Sequence, residues 1–382
     1  MLLVIPTHLR RCAAALVDRG RAHLPVPQGL DEINPLVPQV VDPLDPDLQL
    51  LCRESEVLPP WKASPEALLP APLLALLSGP TPRCATLLIR SRPWRLRCQH
   101  AQVLRPSRRI VHDPSTGWTG LYGRSWPLWP ARRQRGLVLN LSNHGTPNLY
   151  HWLFNPTLQL LRLMESHGVR CAEAAALYLG PAWPDPWPAY VEQTLERLGL
   201  GRLPRLRSAV RPESLLMSVY GSTSVCASPA QFHWLRQHLA PVRSAGGIRL
   251  YLGRASAGRR RLLNERALMA ALEREGFTCI PDPGVLAFDQ QCRLLADADV
   301  VVAPHGAALS LLFCCAPGTR LLEIHGPSYI SPLYAWMARV GGLWYSALLA
   351  ESRANPSEAS MDDLWIHPQT VLDQVLKWGL KR

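Results

Sequence analysis

Apolar positions fall into two textures along this chain. From Cys84 onward, short apolar runs alternate with stretches in which apolar residues recur at three- and four-residue spacing. These are the signatures of buried strands and of amphipathic helices. The first series predicts a strand over 85–90, a second over 136–141, and helix over 149–165 on Leu149, Trp152, Leu153, Leu160, Leu161 and Met164. Pro156 either kinks that helix or divides it in two. A strand over 174–179, a helix over 188–198 and a strand over 215–220 follow. A helix over 227–239 then starts at a Ser228 cap with Pro229 in its first position. Residues 244–247, Ser-Ala-Gly-Gly, read as a linker.

A second series begins at the strand 248–252. Asn264 is expected to cap a helix that Gly276 stops. A strand over 277–280, a helix over 288–296 with Phe288, Cys292 and Leu295 on one face, and a strand over 300–302 come next. A helix from Ala307 and a strand over 319–324 complete it. Strands alternating with helices require parallel sheets covered by helices. The expected fold class is therefore α/β: two doubly wound Rossmann-like domains with a hinge near residue 245. Residues 1–80 are dense in proline and leucine without a sustained period, so they read as irregular structure packed on the next domain. The expected units are a 1–80 extension, an α/β domain over 81–243, and a ligand-binding α/β domain over 244–382 ending in a helix.

Composition narrows the class. Nothing approaches the length of uncharged apolar chain that a membrane span needs. The opening Met1–Ile5 run is short and precedes Arg10 and Arg11, the wrong order for a signal peptide. A cytoplasmic protein is expected, with peripheral contact at the inner membrane face through surface arginines as a further expectation. The ten cysteines contain no C-x-x-C pair, which argues for reduced thiols in the core over structural zinc. The net charge is +12, and lysine occurs only at 62, 377 and 381. Arginine suits phosphate, but here it is dispersed and no nucleic-acid-binding motif accompanies it, so no specific nucleic acid partner is expected.

The richest segment is Asp299–Leu309, an apolar strand that stops at Pro304 and restarts after His305-Gly306-Ala307-Ala308. Small residues between a strand and a helix start make a corner where a phosphate can approach backbone N–H groups. Other candidates sit at strand ends, where open α/β sheets bind ligands. Arg254 follows the 248–252 strand and could meet a pyrophosphate, or form a surface ion pair. Arg261, Asn264 and Glu265 stand at a helix entry. Glu323, ending the 319–324 strand, could accept both hydroxyls of a ribose, or pair with an arginine.

Taken together these residues resemble glycosyltransferase family 61. The resemblance rests on Arg254, Arg261-Leu262-Leu263-Asn264-Glu265, Gly276-Phe277, Phe288-Asp289-Gln290-Gln291, His305-Gly306-Ala307 and Pro317-Gly318-Thr319…Glu323, with Asn148-Leu149-Tyr150-His151-Trp152 upstream. It implies an inverting GT-B transferase that moves a sugar from a nucleotide-sugar donor to a glycan or polysaccharide acceptor, such as a capsule, without cofactor or essential metal. The donor would lie on Arg254, Arg261, Asn264, His305, Gly306, Ala307 and Glu323. The acceptor would lie near Asn148, Tyr150 and His144. A neutral imidazole can act as base, and His151 is the candidate, with His144 second. A UDP-sugar is the expected donor, although the residues do not choose among UDP, GDP and CMP. Two other readings compete: a nucleotide-sugar epimerase of similar fold, and a non-catalytic binder of anionic surfaces or nucleic acid.

Overall fold

The structure, a computed structural model, describes residues 48–61, 67–95, 97–99, 102–104, 110–112, 131–142, 148–180, 184–222, 225–353 and 362–379. Strand β1 (Leu48–Val57) pairs antiparallel with β2 (Arg83–Ser91), and helix α1 (Ala71–Leu77) lies between them in the chain. Short strands β3 (Arg97–Gln99), β4 (Gln102–Leu104) and β5 (Ile110–His112) form a meander. Then come β6 (Arg132–Asn140), helices α2 (Leu149–Phe154) and α3 (Pro156–Ser166), β7 (Ala174–Tyr178), α4 (Ala189–Arg197), β8 (Arg205–Leu206), β9 (Val210–Ser222) and α5 (Pro229–Leu239). The helical stretch after residue 149 is thus divided, not kinked. Asn155 takes an extended backbone, and Pro156, which lacks an N–H to donate, opens the next helix.

The first sheet runs β5-β4-β3-β9-β6-β7-β8, with β2 also on β9 and β1 outside it. β9, β6, β7 and β8 are mutually parallel, whereas β1, β2 and the meander join antiparallel. This mixed sheet departs from the doubly wound expectation for the first half. One face packs under α3, α4 and α5 in the main core, while the other buries a set made of strand residues, including Ile89, Val138, Tyr178 and Met217. The 1–80 expectation also changes. β1 is a ten-residue strand whose Glu54 pairs with the buried Arg162 of α3 (2.7 Å). Its Glu56 accepts the Ala230 N–H at the start of α5 (2.8 Å).

The second half follows expectation closely: β10 (Ile248–Leu252), α6 (Glu265–Arg274), β11 (Phe277–Ile280), α7 (Phe288–Ala296), β12 (Ala298–Pro304), a 3₁₀ helix (Ala307–Cys314), β13 (Arg320–His325), α8 (Leu333–Gly341) and β14 (Trp344–Leu349). All five strands are parallel in the order β11-β10-β12-β13-β14. Alternating runs such as Val300-Val301-Val302 are buried on both faces, one against α6 and the C-terminal helix α9 (Pro368–Leu376), the other against α7, the 3₁₀ helix and α8. That strand order reverses direction between β10 and β12, and the crevice at their carboxyl ends is where such sheets bind ligands. A short pair, β15 (Glu351–Arg353) and β16 (Asp363–Trp365), closes the C-terminal side.

The halves share one core. α2 and α5 lie against the 3₁₀ helix and α8, and Arg236 of α5 donates to the carbonyls of Phe313 and Cys315 (2.9 and 3.0 Å). The segment between β1 and α1 reaches the second sheet as well. Leu68 O accepts from Ala347 N of β14 (2.8 Å), and Trp61 packs edge-on against Trp336 and Tyr345. Part of the 1–80 extension therefore lies on the C-terminal half. No described helix is long and apolar enough to cross a membrane.

Candidate active site at the carboxyl ends of β10, β12 and β13

Arg254 emerges two residues beyond β10, and its backbone placement is fixed from below. Glu265, buried at the start of α6, accepts from Arg254 N and from Tyr251 Oη through one oxygen (2.9 Å each). Gly253 is required there, because a Cβ would stand 2.5 Å from Pro281 O and 2.8 Å from Glu265 Oε1. The guanidinium then lies across Gly306. A side chain at 306 would collide with Arg254 Nη1, so this glycine serves close approach and not backbone freedom, its φ being an ordinary −175°.

Beside it stands Arg260, whose guanidinium sits 4.5 Å over the Tyr329 ring. Arg260 holds a φ of +53°, a left-handed backbone that a long side chain adopts only under constraint. Among the described residues, Arg254 Nε and both Arg260 Nε and Nη1 are buried without a hydrogen-bond partner. Burial, with the neighbouring Arg260 charge acting in the same direction, lowers the Arg254 pKa to about 10. Arg260 is likewise lowered by burial. Two desolvated like charges with unused donors, at a strand-order reversal, form a site built for an anion.

The floor of this site is a buried acid–imidazole network. His305 Nδ1 donates to Glu323 Oε1 (2.5 Å), Tyr345 Oη donates to Oε2 (2.7 Å), and His325 Nε2 lies 3.3 Å from the same oxygen. Burial pushes the Glu323 carboxyl up, but the His325 and His305 rings outweigh it and leave the acid well below the usual carboxylate range. Burial lowers the His305 pKa against the opposing pull of Glu323. His305 stacks on His325 and touches the rings of Tyr329 and Tyr334. With Nδ1 bound to Glu323, only Nε2 remains to address a ligand.

Several expected ligands therefore have other work. Glu323 is fully buried with both oxygens engaged, so it orients His305 in place of receiving a ribose or an arginine. Arg261 turns away to Asp363, with Nη2 at 2.6 Å and Nε at 3.1 Å from Oδ2, and Asp363 Oδ1 accepts the Arg261 N–H (2.9 Å). Asn264 occupies the cap position of α6 without a side-chain cap bond, because its amide donates to Ile366 O (2.8 Å). The segment after Gly306 is 3₁₀ and not an α-helix, so the corner with Ala307 offers fewer aligned N–H groups than expected. Gln290 and Gln291 brace their own loop through Ala287 N and Leu286 O.

On the opposite wall, Asn148 caps α2 by accepting from Tyr150 N and His151 N (2.9 and 3.4 Å). Tyr150 is half-buried, stacked on Phe154, and within electrostatic reach of Tyr334 and Tyr329 across the halves. His151 lies next to it, its pKa lowered by burial and supported by Asn155. Asn155 Nδ2 donates to His151 Nδ1 (2.8 Å), which places the ring proton on Nε2. His144 lies outside the described residues.

Two Asp-x-Asp spacings bear on the metal-free expectation. Asp45-Pro46-Asp47 lies outside the described residues. Asp297-Ala298-Asp299 begins β12, at the end of the sheet away from the arginines. There Asp297 accepts from Ser244 and Ala245 of the linker, and Asp299 pairs with Arg243. A separate buried trio, His305, Glu323 and His325, has donor atoms within 4.8 Å of one another, but its short mutual hydrogen bonds already satisfy the carboxylate.

The family model described as Glycosyltransferase 61 matches residues 149–322. Those residues form a glycosyltransferase family 61 domain. The family 61 domain spans α2 through β13 and so contains both arginines and His305, while Glu323 falls one residue past its end. A β-1,2-xylosyltransferase of Arabidopsis thaliana is similar over 73 residues at 34% identity, 19% of this chain and 14% of that protein. The chain thus matches only a small part of that curated relative's length.

The residues that sequence reasoning missed are Arg260, Tyr329, Tyr334, His325 and Tyr345. Arg260 was legible as the middle of an Arg259–Arg261 run just past a strand end, but only its turned backbone shows which of the three faces inward. Tyr329 follows the end of β13 and Tyr334 opens α8 after it, where a strand-end position was the available signal, whereas Tyr345 lies inside β14 beside Leu321.

Proposed function

We propose that this chain is an inverting glycosyltransferase of GT-B type that takes a sugar from a nucleotide-sugar donor to a hydroxyl of a glycan or polysaccharide acceptor. One observation carries the reading: two buried guanidiniums, Arg254 and Arg260, keep unpartnered N–H groups at the β10/β12 crevice. A diphosphate supplies the charge and the acceptor oxygens this arrangement lacks. As the bond from sugar to phosphate breaks, negative charge grows on the leaving oxygen, and preorganised cations stabilise that change most in a dry site. His305, held by Glu323, adds a ring nitrogen on the same side.

The acceptor would enter from the α2 wall, beside Tyr150 and His151. Base duty by His151 sets a condition. Its Nε2 can take a proton only if the Asn155 amide turns over, so that Oδ1 accepts from Nδ1–H. The similarity to a xylosyltransferase brings UDP-xylose into the donor panel. Calorimetry with UDP, GDP, CMP and UDP-sugars, with and without EDTA, tests the reading, followed by transfer to candidate glycans. Binding of one nucleotide class, weakened by Arg254 or Arg260 replacement, supports it. No binding to any of them, beside salt-sensitive binding to DNA or anionic vesicles, refutes it.

A further inference from the structure

A second chemical cluster lies outside the anion site. Cys84, opening β2, and Cys226, just before the Ser228 cap of α5, are 142 positions apart in sequence, yet their sulfurs stand 3.4 Å apart. Both are almost fully buried. Tyr220 Oη lies 3.4 Å from the Cys84 sulfur and donates to Cys226 O (2.9 Å), and Ser222 Oγ lies 2.9 Å from the Cys226 sulfur. Cys84 and Ser222 are direct partners across β2 and β9, so the sheet itself fixes the approach of the two thiols.

We propose that Cys84 and Cys226 are an oxidation site that closes to a disulfide with a small hydroperoxide as oxidant. The thiols need to draw together by only a little over 1 Å to reach bonding distance (~2.05 Å). The hydrogen bond from Cys226, aided by Tyr220 and Ser222, holds the Cys84 thiol below its ordinary pKa, while the Cys226 thiol is raised by that same contact and by burial. Cys84 is therefore the attacking sulfur. Its thiolate attacks one peroxide oxygen and the O–O bond breaks. The hydroxide released takes up the thiol proton as water, leaving a sulfenic acid on Cys84. Cys226 sulfur then attacks Cys84 sulfur, the S–O bond breaks, and its proton leaves with the hydroxide as a second water. Two thiols lose two electrons to one peroxide. Burial of both cysteines keeps larger disulfides off the sulfurs, so the oxidant has to be a small one.

The bond would lock the β2–β9 pair to the entry of α5, next to Tyr150, which lies within electrostatic reach of both sulfurs. The test titrates the full-length native chain with hydrogen peroxide and maps non-reduced peptides. A Cys84–Cys226 link is expected before any other, with an intact mass lower by ~2 Da and full reversal by dithiothreitol. Cys226→Ser should form no link and should accumulate a dimedone adduct on Cys84. The proposal is overturned if both thiols of the wild-type chain remain alkylatable on denaturation after other cysteines have oxidised. It is equally overturned if the link forms only in guanidinium, or if Cys84→Ser accumulates a dimedone adduct on Cys226 as fast as Cys226→Ser does on Cys84.

Discussion

Replacing Arg254 by methionine should raise stability and weaken donor binding together. Methionine keeps most of the straight stem and removes the charged group that lies across Gly306. In the folded chain burial brings the Arg254 pKa down to about 10, which corresponds to ~3 kcal/mol held against the charged form. Partial solvent access and the lost bond from Nη2 to Arg259 O (3.3 Å) reduce the gain to ~1–2 kcal/mol. In a chain of this size that is roughly 1–3 °C in Tm. The sign follows from linkage. A base with a lowered folded pKa is penalised wherever it is charged in both states, so the gain is constant below about pH 10. Nucleotide affinity moves oppositely, since one or two charge-assisted bonds at ~1.5–3 kcal/mol each amount to a loss of about 10-fold to ~10⁴-fold. Scanning fluorimetry from pH 6 to 9 and calorimetry with the bound nucleotide read both quantities. A Tm that drops by several degrees while affinity stays unchanged would refute the reasoning and make Arg254 a structural residue.

Other outcomes test neighbouring parts of the site. Gly306→Ala should weaken nucleotide binding by at least ~10-fold with little change in Tm, because the new Cβ displaces the end of a flexible side chain and not the backbone; unchanged calorimetry would place the anion elsewhere. Glu323→Gln removes a carboxylate whose pKa is depressed in the fold. The stability that carboxylate contributes is fully present above the ordinary Glu pKa and is lost as pH falls through the folded value, so the acid limb of the variant's Tm–pH curve should be flatter than the wild type's. Asn155→Asp should raise the His151 pKa, read from its ring protons by NMR, since a carboxylate accepts from Nδ1–H and stabilises the imidazolium; no upward shift would place His151 out of contact with residue 155. Arg261→Ala should lower Tm by leaving Asp363 buried without its cation, while nucleotide affinity holds; a matched loss of affinity would return Arg261 to the donor site.

The second half was legible because its signal is local. Each strand is a short apolar run, each helix has a face such as Phe288, Cys292 and Leu295, and parallel connectivity forces the polar residues at strand ends to one side of the sheet. The Ser228 cap with Pro229, and the break before Pro156, were readable for the same reason. The first half was less legible, since its edge is assembled from distant pieces. β1 pairs with β2 across a proline-rich interval, and only that long-range pairing turns Leu48–Val57 into a strand. Within the site, residue type pointed to the right corner but not to the right role. Arg261 and Arg260 are adjacent, and a positive φ at one of them decides which guanidinium enters the crevice and which pairs with Asp363. Glu323 reads as a ligand by position, yet the imidazoles that claim it come from another strand end and from its own strand two residues on.

The segment carrying Trp61 and Leu68 changes what kind of motion the two halves can make. The halves already share a core through α2, α5, the 3₁₀ helix and α8, and the Leu68–Ala347 bond adds a strap from the first half to the outer strand of the second sheet. A strap on an edge strand opposes any slide of one half past the other. Ligand entry is then expected to move side chains at the crevice and not whole halves. Trp61, packed against Trp336 and Tyr345 on that strap, should keep a steady fluorescence as ligands come and go, and change only if the strap is released.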